Sequence, residues 1–63
     1  MKFISVRKSE SGRCILDYEN NKGHHYRVFE LECDDVEKFK KCNDDNCRQA
    51  IIDKGINNMP VNN

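Results

Sequence analysis

The chain has 63 residues, and eleven basic side chains balance eleven acidic ones, so its formal net charge is zero. A chain this short buries only about 60% of its unfolded surface, which leaves room for one small domain with a marginal core. No apolar run approaches the roughly 20 residues that span a bilayer, and the first residues lack the apolar centre of a secretory signal. These features exclude a multidomain enzyme, a membrane-spanning protein and a coiled-coil rod, and they predict a cytoplasmic mini-domain.

The balanced charge is unevenly distributed along the chain. Residues 1–27 contain six basic and three acidic side chains, whereas residues 28–63 contain five basic and eight acidic ones. Five of the acids fall between Glu30 and Glu37. A dipolar molecule of this kind can dock on a charged partner through one end, although a small surface also needs charge simply to stay in solution.

Three segments of alternating apolar residues are separated by turn formers at positions 10–12 and 20–23. Alternation with short turns is typical of an antiparallel meander. A two-residue turn at Gly23-His24 would pair residues whose numbers add up to 47, such as Tyr18 with Phe29. A turn at Asn21-Lys22 is the alternative, and we expect it to leave the same side chains inward. The predicted inward set is Ile4, Val6, Cys14, Leu16, Tyr18, Phe29, Leu31 and Cys33.

The second half of the chain changes to helical periodicity. Asp34 and Glu37 have the spacing of a capping box, and an apolar stripe follows. Gly55 is placed to end the helix. We favour one continuous helix; the alternative is a break at 43–46, a run of poor helix formers, with Asp44 capping a second helix. The predicted fold is therefore α+β: a three-stranded antiparallel meander with one C-terminal helix on one face, occupying 1–56, and a flexible polar tail at 57–63.

The four cysteines are separated by 18, 8 and 4 residues, which does not give the paired C-x₂₋₄-C knuckles of a zinc ribbon. We therefore expect buried free thiols that act as small apolar side chains, and no cofactor. A structural zinc site and a Cys14–Cys33 cross-strand disulfide are the alternatives. The sulfurs of Cys42 and Cys47 would point about 140° apart on a continuous helix, so only a broken helix brings them together.

The adjacent histidines His24 and His25 are the best candidates for acid–base chemistry. No nucleophile elbow and no phosphate-binding glycine loop accompanies them, and a sheet with one helix offers little room for a concave site. The sequence therefore predicts a protein that is not an enzyme.

The sheet face opposite the helix carries apolar, aromatic and basic side chains that one helix cannot cover. Glu30 and Glu32, near the end of the third strand, are added as part of an acidic strip that could bind a basic partner. An exposed patch of this kind usually marks a partner surface or a homodimer interface. The alternative is that the C-terminal segment, with Ile56, Met59 and Val61, folds back over the face. The candidate partner-binding residues are Phe3, Arg7, Arg13, Ile15, Tyr26, Val28, Glu30 and Glu32.

Taken together, these features favour a small non-enzymatic protein-binding module that docks on a larger protein and inhibits or modulates it. Eight asparagines, with many lysines and isoleucines, are typical of AT-rich coding sequences. Phages and mobile elements often encode such small antagonists of host enzymes and defence systems. Nucleic-acid binding through the exposed sheet is the alternative, although zero net charge disfavours it. A zinc-stabilised mini-domain is the second alternative.

Overall fold

The computed structural model describes residues 1–61, which form four strands and two short helices. The strands make one antiparallel sheet in the order β1-β2-β3-β4, and the buried side chains of both helices join those of the central strands in one core. The α+β class is confirmed, but the structure has one more strand and one more helix than predicted. In chain order the elements are β1 (Lys2–Lys8), β2 (Cys14–Glu19), β3 (His25–Leu31), α1 (Cys33–Lys41), α2 (Asp45–Ile52) and β4 (Ile56–Pro60).

The additional strand, β4, is formed by residues that we expected to begin a flexible tail. It pairs with β3 and is held in place by the Tyr18 hydroxyl, which donates to Oδ1 of Asn58 at 3.0 Å. The backbone N–H of Val61 also donates to the carbonyl oxygen of His25 at 2.9 Å. The C-terminal segment therefore folds back, as the alternative proposed, but it widens the sheet instead of covering it. Residues 62–63 of the predicted tail lie outside the described part of the chain.

The predicted single helix is broken at the start of 43–46, the run of residues with low helix propensity. The first helix ends before Cys42, and Asp44 caps the second by accepting a hydrogen bond from the backbone N–H of Cys47 at 2.8 Å. This is the broken-helix alternative. The predicted cap at Asp34 is wrong, because α1 begins at Cys33, after Glu32, whose side chain makes no capping hydrogen bond.

Each of the two hairpins has a three-residue loop whose last residue is a glycine in the left-handed conformation. Gly12 has a φ of 87° and Gly23 a φ of 83°, a backbone region that favours glycine. In the second hairpin, the N–H of Asn20 donates to the carbonyl oxygen of His24 at 2.9 Å, so β2 and β3 pair at positions that sum to 44, as in Tyr18 opposite Tyr26. The predicted sum of 47 is wrong. Because the two sums differ in parity, the first part of β3 presents its other face to the helices.

A bulge near the end of β3 restores the expected orientation of its last residue. Glu30 adopts a φ of 59°, and the register shifts between the Leu16–Val28 and Cys14–Leu31 pairs. Val28 and Leu31 therefore both point towards the helices although three positions separate them.

The buried core lies between the sheet and the two helices, and it differs from the predicted inward set. Ile4 and Val6 are 41% and 37% exposed because β1 is an edge strand, and Phe29 lies on the opposite face. Val28, which we expected to face outward, is completely buried. The core consists of Cys14, Leu16, Tyr18, Val28, Leu31, Val36, Phe39, Cys42, Ile51 and Ile52.

The four cysteines form two disulfides, so the prediction of free thiols is wrong. Cys14–Cys33 joins the start of β2 to the start of α1, with the two Cα atoms 5.1 Å apart. Cys42–Cys47 bridges the break between the helices, with the Cα atoms 5.7 Å apart. With their sulfurs in disulfides, the cysteines offer no thiolate to a zinc ion.

Candidate partner-binding surface

The side of the sheet turned away from the helices, here called the outer face, is made of residues that pair across the strands in rows. Directly paired residues share a face, so each row can be read from the register. One row runs from Ser5 through Asp17 and Arg27 to Met59. Its neighbour contains Arg7, Ile15, Phe29 and Ile56. With His25 on β3, the outer face is Ser5, Arg7, Ile15, Asp17, His25, Arg27, Phe29, Ile56 and Met59.

A buried carboxylate lies at the centre of the outer face. The Asp17 side chain is about 10% exposed, and its Oδ1 accepts from Nε of Arg27 at 2.9 Å while its Oδ2 accepts from Nη2 at 3.0 Å. Nε2 of His25 lies 3.0 Å from the same Oδ2. The Arg27 hydrogen bonds, aided by the one to His25, hold the pKa of Asp17 below its ordinary value against the opposing effect of burial. These contacts fix Asp17, Arg27 and His25 to one another, and we call this cluster the brace.

Apolar side chains flank this brace on the β3–β4 side. Ile56 and Met59 are 56% and 52% exposed, although both belong to a paired strand. Phe29 pairs with Ile56 and is half-buried, as is Ile15 on β2. An open cleft of about 240 Å³ lies in this region, large enough to receive one apolar side chain of a partner. Its lining residues are Arg27, Phe29, Met59, Pro60 and Val61.

The structure distributes the eight predicted partner-binding residues over three places. Arg7 and Ile15 lie on the outer face, as expected. Phe3 and Tyr26 instead pack against the core, where the Tyr26 ring stacks on Tyr18 with centroids 5.8 Å apart. Together with the burial of Val28, this shows that the expected outward orientation of Phe3, Tyr26 and Val28 is wrong.

The remaining three predicted residues cluster beside the β1–β2 turn. Nη2 of Arg13 lies 3.3 Å from Oε1 of Glu32, and Nη1 donates to the carbonyl oxygen of Glu30 at 3.4 Å. The Glu30 carboxylate accepts from the hydroxyls of Ser9 at 3.2 Å and Ser11 at 2.9 Å. These contacts hold Glu30 in its left-handed conformation, so this carboxylate has a structural role in the bulge.

Sequence reasoning missed Arg27, Phe29, Ile56 and Met59 as members of the outer face. The signal for the β3 residues was present in the turn, where Gly23 is the third loop residue of a three-residue hairpin with a left-handed last position. That reading gives an even pairing sum and places Arg27 and Phe29 outward. The β4 residues carried no comparable signal, because a five-residue segment with two adjacent asparagines does not alternate clearly.

Comparisons with known proteins give no relative for this chain. No protein-family model matches it, and neither the curated proteins nor the solved structures contain a significant match. Within residues 1–61, no helix combines the length and apolarity needed to cross a membrane. The same part of the chain contains no group of three or more histidine, cysteine and acidic side chains arranged to hold a metal ion.

Proposed function

We propose that this protein is a small non-enzymatic protein-binding module that docks on a larger protein through the outer face and modulates it. The observation that carries the proposal is the exposed apolar strip of Ile56 and Met59 beside half-buried Phe29, on a sheet face to which neither helix contributes. An apolar patch with a cleft and a flanking arginine has the composition of an interface core.

The geometry of the brace also favours a binding role for the outer face. Arg27 and Asp17 neutralise one another by two hydrogen bonds, so a partner can cover them without leaving either charge alone. Because strands hold these side chains, docking requires little ordering of the backbone. Inhibition or modulation of a larger enzyme remains the function we favour for a module of this size, and an antagonist encoded by a phage or mobile element is one setting for it.

The disulfides bear on where such a module would work. Disulfides persist in oxidising environments, whereas cytosolic thiols are kept reduced. We therefore infer an oxidising working environment in place of the expected cytoplasmic one. Alkylation of the freshly isolated native protein should label no cysteine unless a reductant is added first, and labelling of all four without reductant would contradict the inference.

The test of the proposed function compares partner capture by the wild-type protein and by a variant of the outer face. We expect the double variant Ile56→Glu with Met59→Glu to lose a partner protein that the wild type captures from lysate after nuclease treatment. The matched control is Ala50→Glu, an apolar-to-acidic change at an exposed position of α2, which should retain capture. Circular dichroism must show that all three proteins are folded.

Each outcome of this comparison is informative. Capture that survives nuclease and depends on Ile56 and Met59 supports the proposal. Equal capture by all three proteins would overturn the assignment of the outer face. Capture that disappears with nuclease would favour nucleic-acid binding.

A further inference from the structure

We propose that the edge strand β1 binds an extended acidic segment of a partner protein as a fifth strand of the sheet. The inference rests on the proposed function, since it concerns how a protein partner is recognised, but it concerns a different part of the molecule. β1 is seven residues long and lies at one end of the strand order, so one of its sides has no neighbouring strand within residues 1–61.

The register identifies the backbone groups that would bind the added strand. The N–H of Ser9 donates to the carbonyl oxygen of Arg13 at 2.8 Å at the end of the hairpin. In an antiparallel pair, hydrogen-bonded and non-hydrogen-bonded positions alternate, so Arg7 and Ser5 direct their backbone groups towards β2. The N–H and C=O groups of Val6 and Lys8 therefore point away from β2 and are available to another strand.

The charge of β1 selects the chemistry of its partner. Lys2, Arg7 and Lys8 form no ion pair within residues 1–61 of the structure. The β1–β2 register shifts between Phe3 and Ser5, so Lys2 and Arg7 both pair with outward-facing residues of β2, whereas Lys8 pairs with buried Cys14. An added strand therefore meets positive charge on both of its faces. Acidic side chains at positions facing these cations are favourable, as opposite charges are in cross-strand pairs.

A second copy of the chain fits this edge poorly. In the antiparallel self-pairing in which Val6 of each copy exchanges hydrogen bonds with Lys8 of the other, the two Arg7 side chains lie opposite one another, and like charges directly opposite are destabilising. Basic residues on edge strands commonly prevent self-association for this reason. The same charge that rejects a second copy attracts an acidic strand.

The opposite edge of the sheet lacks these properties. β4 has five residues, contains Asn57 with a φ of 55°, and ends at Pro60, which has no N–H to donate. The register shifts in the pairings of both edge strands, but the shift in β1 lies between Phe3 and Ser5 and leaves Ser5–Lys8 in regular register. Bulges and prolines are the features that block strand addition, so β1 is the better edge for a partner.

The test uses isotope-labelled, disulfide-bonded protein and a capped peptide, as long as β1, that alternates glutamate and valine. Nuclear magnetic resonance titration should show chemical-shift changes concentrated in β1, and hydrogen exchange of the Val6 and Lys8 amides should slow in the complex. We expect this peptide to bind roughly tenfold more tightly than its glutamine counterpart, with the difference shrinking at high salt.

Two variants separate strand addition from simple charge attraction. Val6→Pro removes one outward N–H without touching the hydrogen bonds to β2, so the sheet should persist while peptide binding is lost. The double variant Arg7→Glu with Lys8→Glu should also lose binding. Lys22→Glu, a charge reversal in the β2–β3 turn, is the matched control and should bind as the wild type does.

The outcomes distinguish this inference from the proposed function. Shift changes confined to β1 and abolished by Val6→Pro support it. Binding that survives Val6→Pro, equal binding of a lysine-containing peptide, or no binding overturns it. Peptide contact with Phe29 and Met59 in place of β1 also overturns it, while the proposed docking through the outer face would stand. Loss of partner capture by the Ile56 and Met59 variant is measured separately and does not depend on the peptide.

Discussion

Asp17 on β2 and Arg27 on β3 lie directly opposite each other and share two hydrogen bonds, of 2.9 Å and 3.0 Å, across the middle of the outer face. The pair occupies the row between exposed Met59 and Ser5, so the most deeply buried charge of the sheet lies within the proposed docking surface. Docking would remove water from both partners of this pair together, which is the condition under which a buried ion pair is tolerated.

The first prediction concerns the pH dependence of stability. Arg27 holds the pKa of folded Asp17 below its ordinary value, so the stabilisation is present above about pH 4 and is lost as the pH falls through the lowered pKa. Asp17→Asn should lower the free energy of unfolding at pH 7 by about 1–3 kcal/mol and flatten the loss of stability below about pH 4. Urea unfolding at several pH values measures both effects.

A neighbouring carboxylate provides the control for this experiment. Glu19 follows on the same strand and forms no ion pair within the described residues 1–61. Glu19→Gln should leave the acid dependence of stability close to that of the wild type. Parallel curves for the wild type and Asp17→Asn would contradict the lowered pKa of Asp17, and coincident curves would show that the brace contributes nothing to stability.

The second prediction concerns the hydrogen bond that fastens β4. The Tyr18 hydroxyl is buried and donates to Asn58, and burial raises the pKa of Tyr18 above its ordinary value. Asn58→Ala leaves that hydroxyl without its partner and should cost about 1–3 kcal/mol, more than Tyr18→Phe at about 1 kcal/mol. Hydrogen exchange of the β4 amides should be faster in both variants than in the wild type, because β4 is held less firmly against β3.

The raised pKa of Tyr18 also determines how the stability of the protein changes at alkaline pH. The contribution of Tyr18 to stability is complete below about pH 10 and is lost as the pH rises through its higher folded pKa. Tyr18→Phe should remove this alkaline loss, whereas Tyr26→Phe should keep it. The same alkaline loss in all three proteins would contradict the assignment to Tyr18.

The third prediction ranks the two disulfides. Cys14 and Cys33 are 19 positions apart in the sequence, whereas Cys42 and Cys47 are 5 positions apart. On the chain-entropy estimate, replacing both cysteines of the longer loop by alanine should cost about 3 kcal/mol, against about 2 kcal/mol for the shorter loop. Guanidinium unfolding of the two double variants tests the order, and a larger cost for the shorter loop would contradict it.

The fourth prediction concerns Gly55, which follows α2 and passes close to β3. We expected this residue to end the helix; α2 ends at Ile52, and the glycines with a positive φ are Gly12 and Gly23. An added Cβ at Gly55 would overlap the Val28 side chain and lie 3.0 Å from the carbonyl oxygen of Phe29. Gly55→Ala should therefore cost about 1–3 kcal/mol by overpacking.

A double-mutant cycle tests the physical reason for the effect at Gly55. Val28→Ala removes the methyl groups that the new Cβ would overlap, so the double variant should be more stable than the sum of the two single losses implies. Strict additivity would show that the cost at Gly55 arises elsewhere.

Part of the candidate site could be predicted from the sequence. Arg7 and Ile15 were placed on the outer face because the first hairpin leaves little choice for the residues of β2 that alternate with Leu16 and Tyr18. The orientation of β3 depended on one turn residue, and a wrong pairing sum exchanged Val28 and Phe29 between the two faces. The alternation within β3 could not correct that error, since both faces of β3 carry apolar side chains; only the turn at Gly23 held the signal.

The sequence by itself determined the local features of this protein: the α+β class, the positions of the turns, the weak point at 43–46 and the capacity of Asp44 to cap a helix. These follow from backbone preferences and short-range hydrogen bonds, which depend on neighbours along the chain. Only the tertiary structure decided the pairing of the cysteines, the bulge at Glu30 and the conversion of the C-terminal segment into β4. Those features depend on contacts between distant residues, such as Tyr18 with Asn58, and apolar burial is too non-directional to specify them from pattern alone.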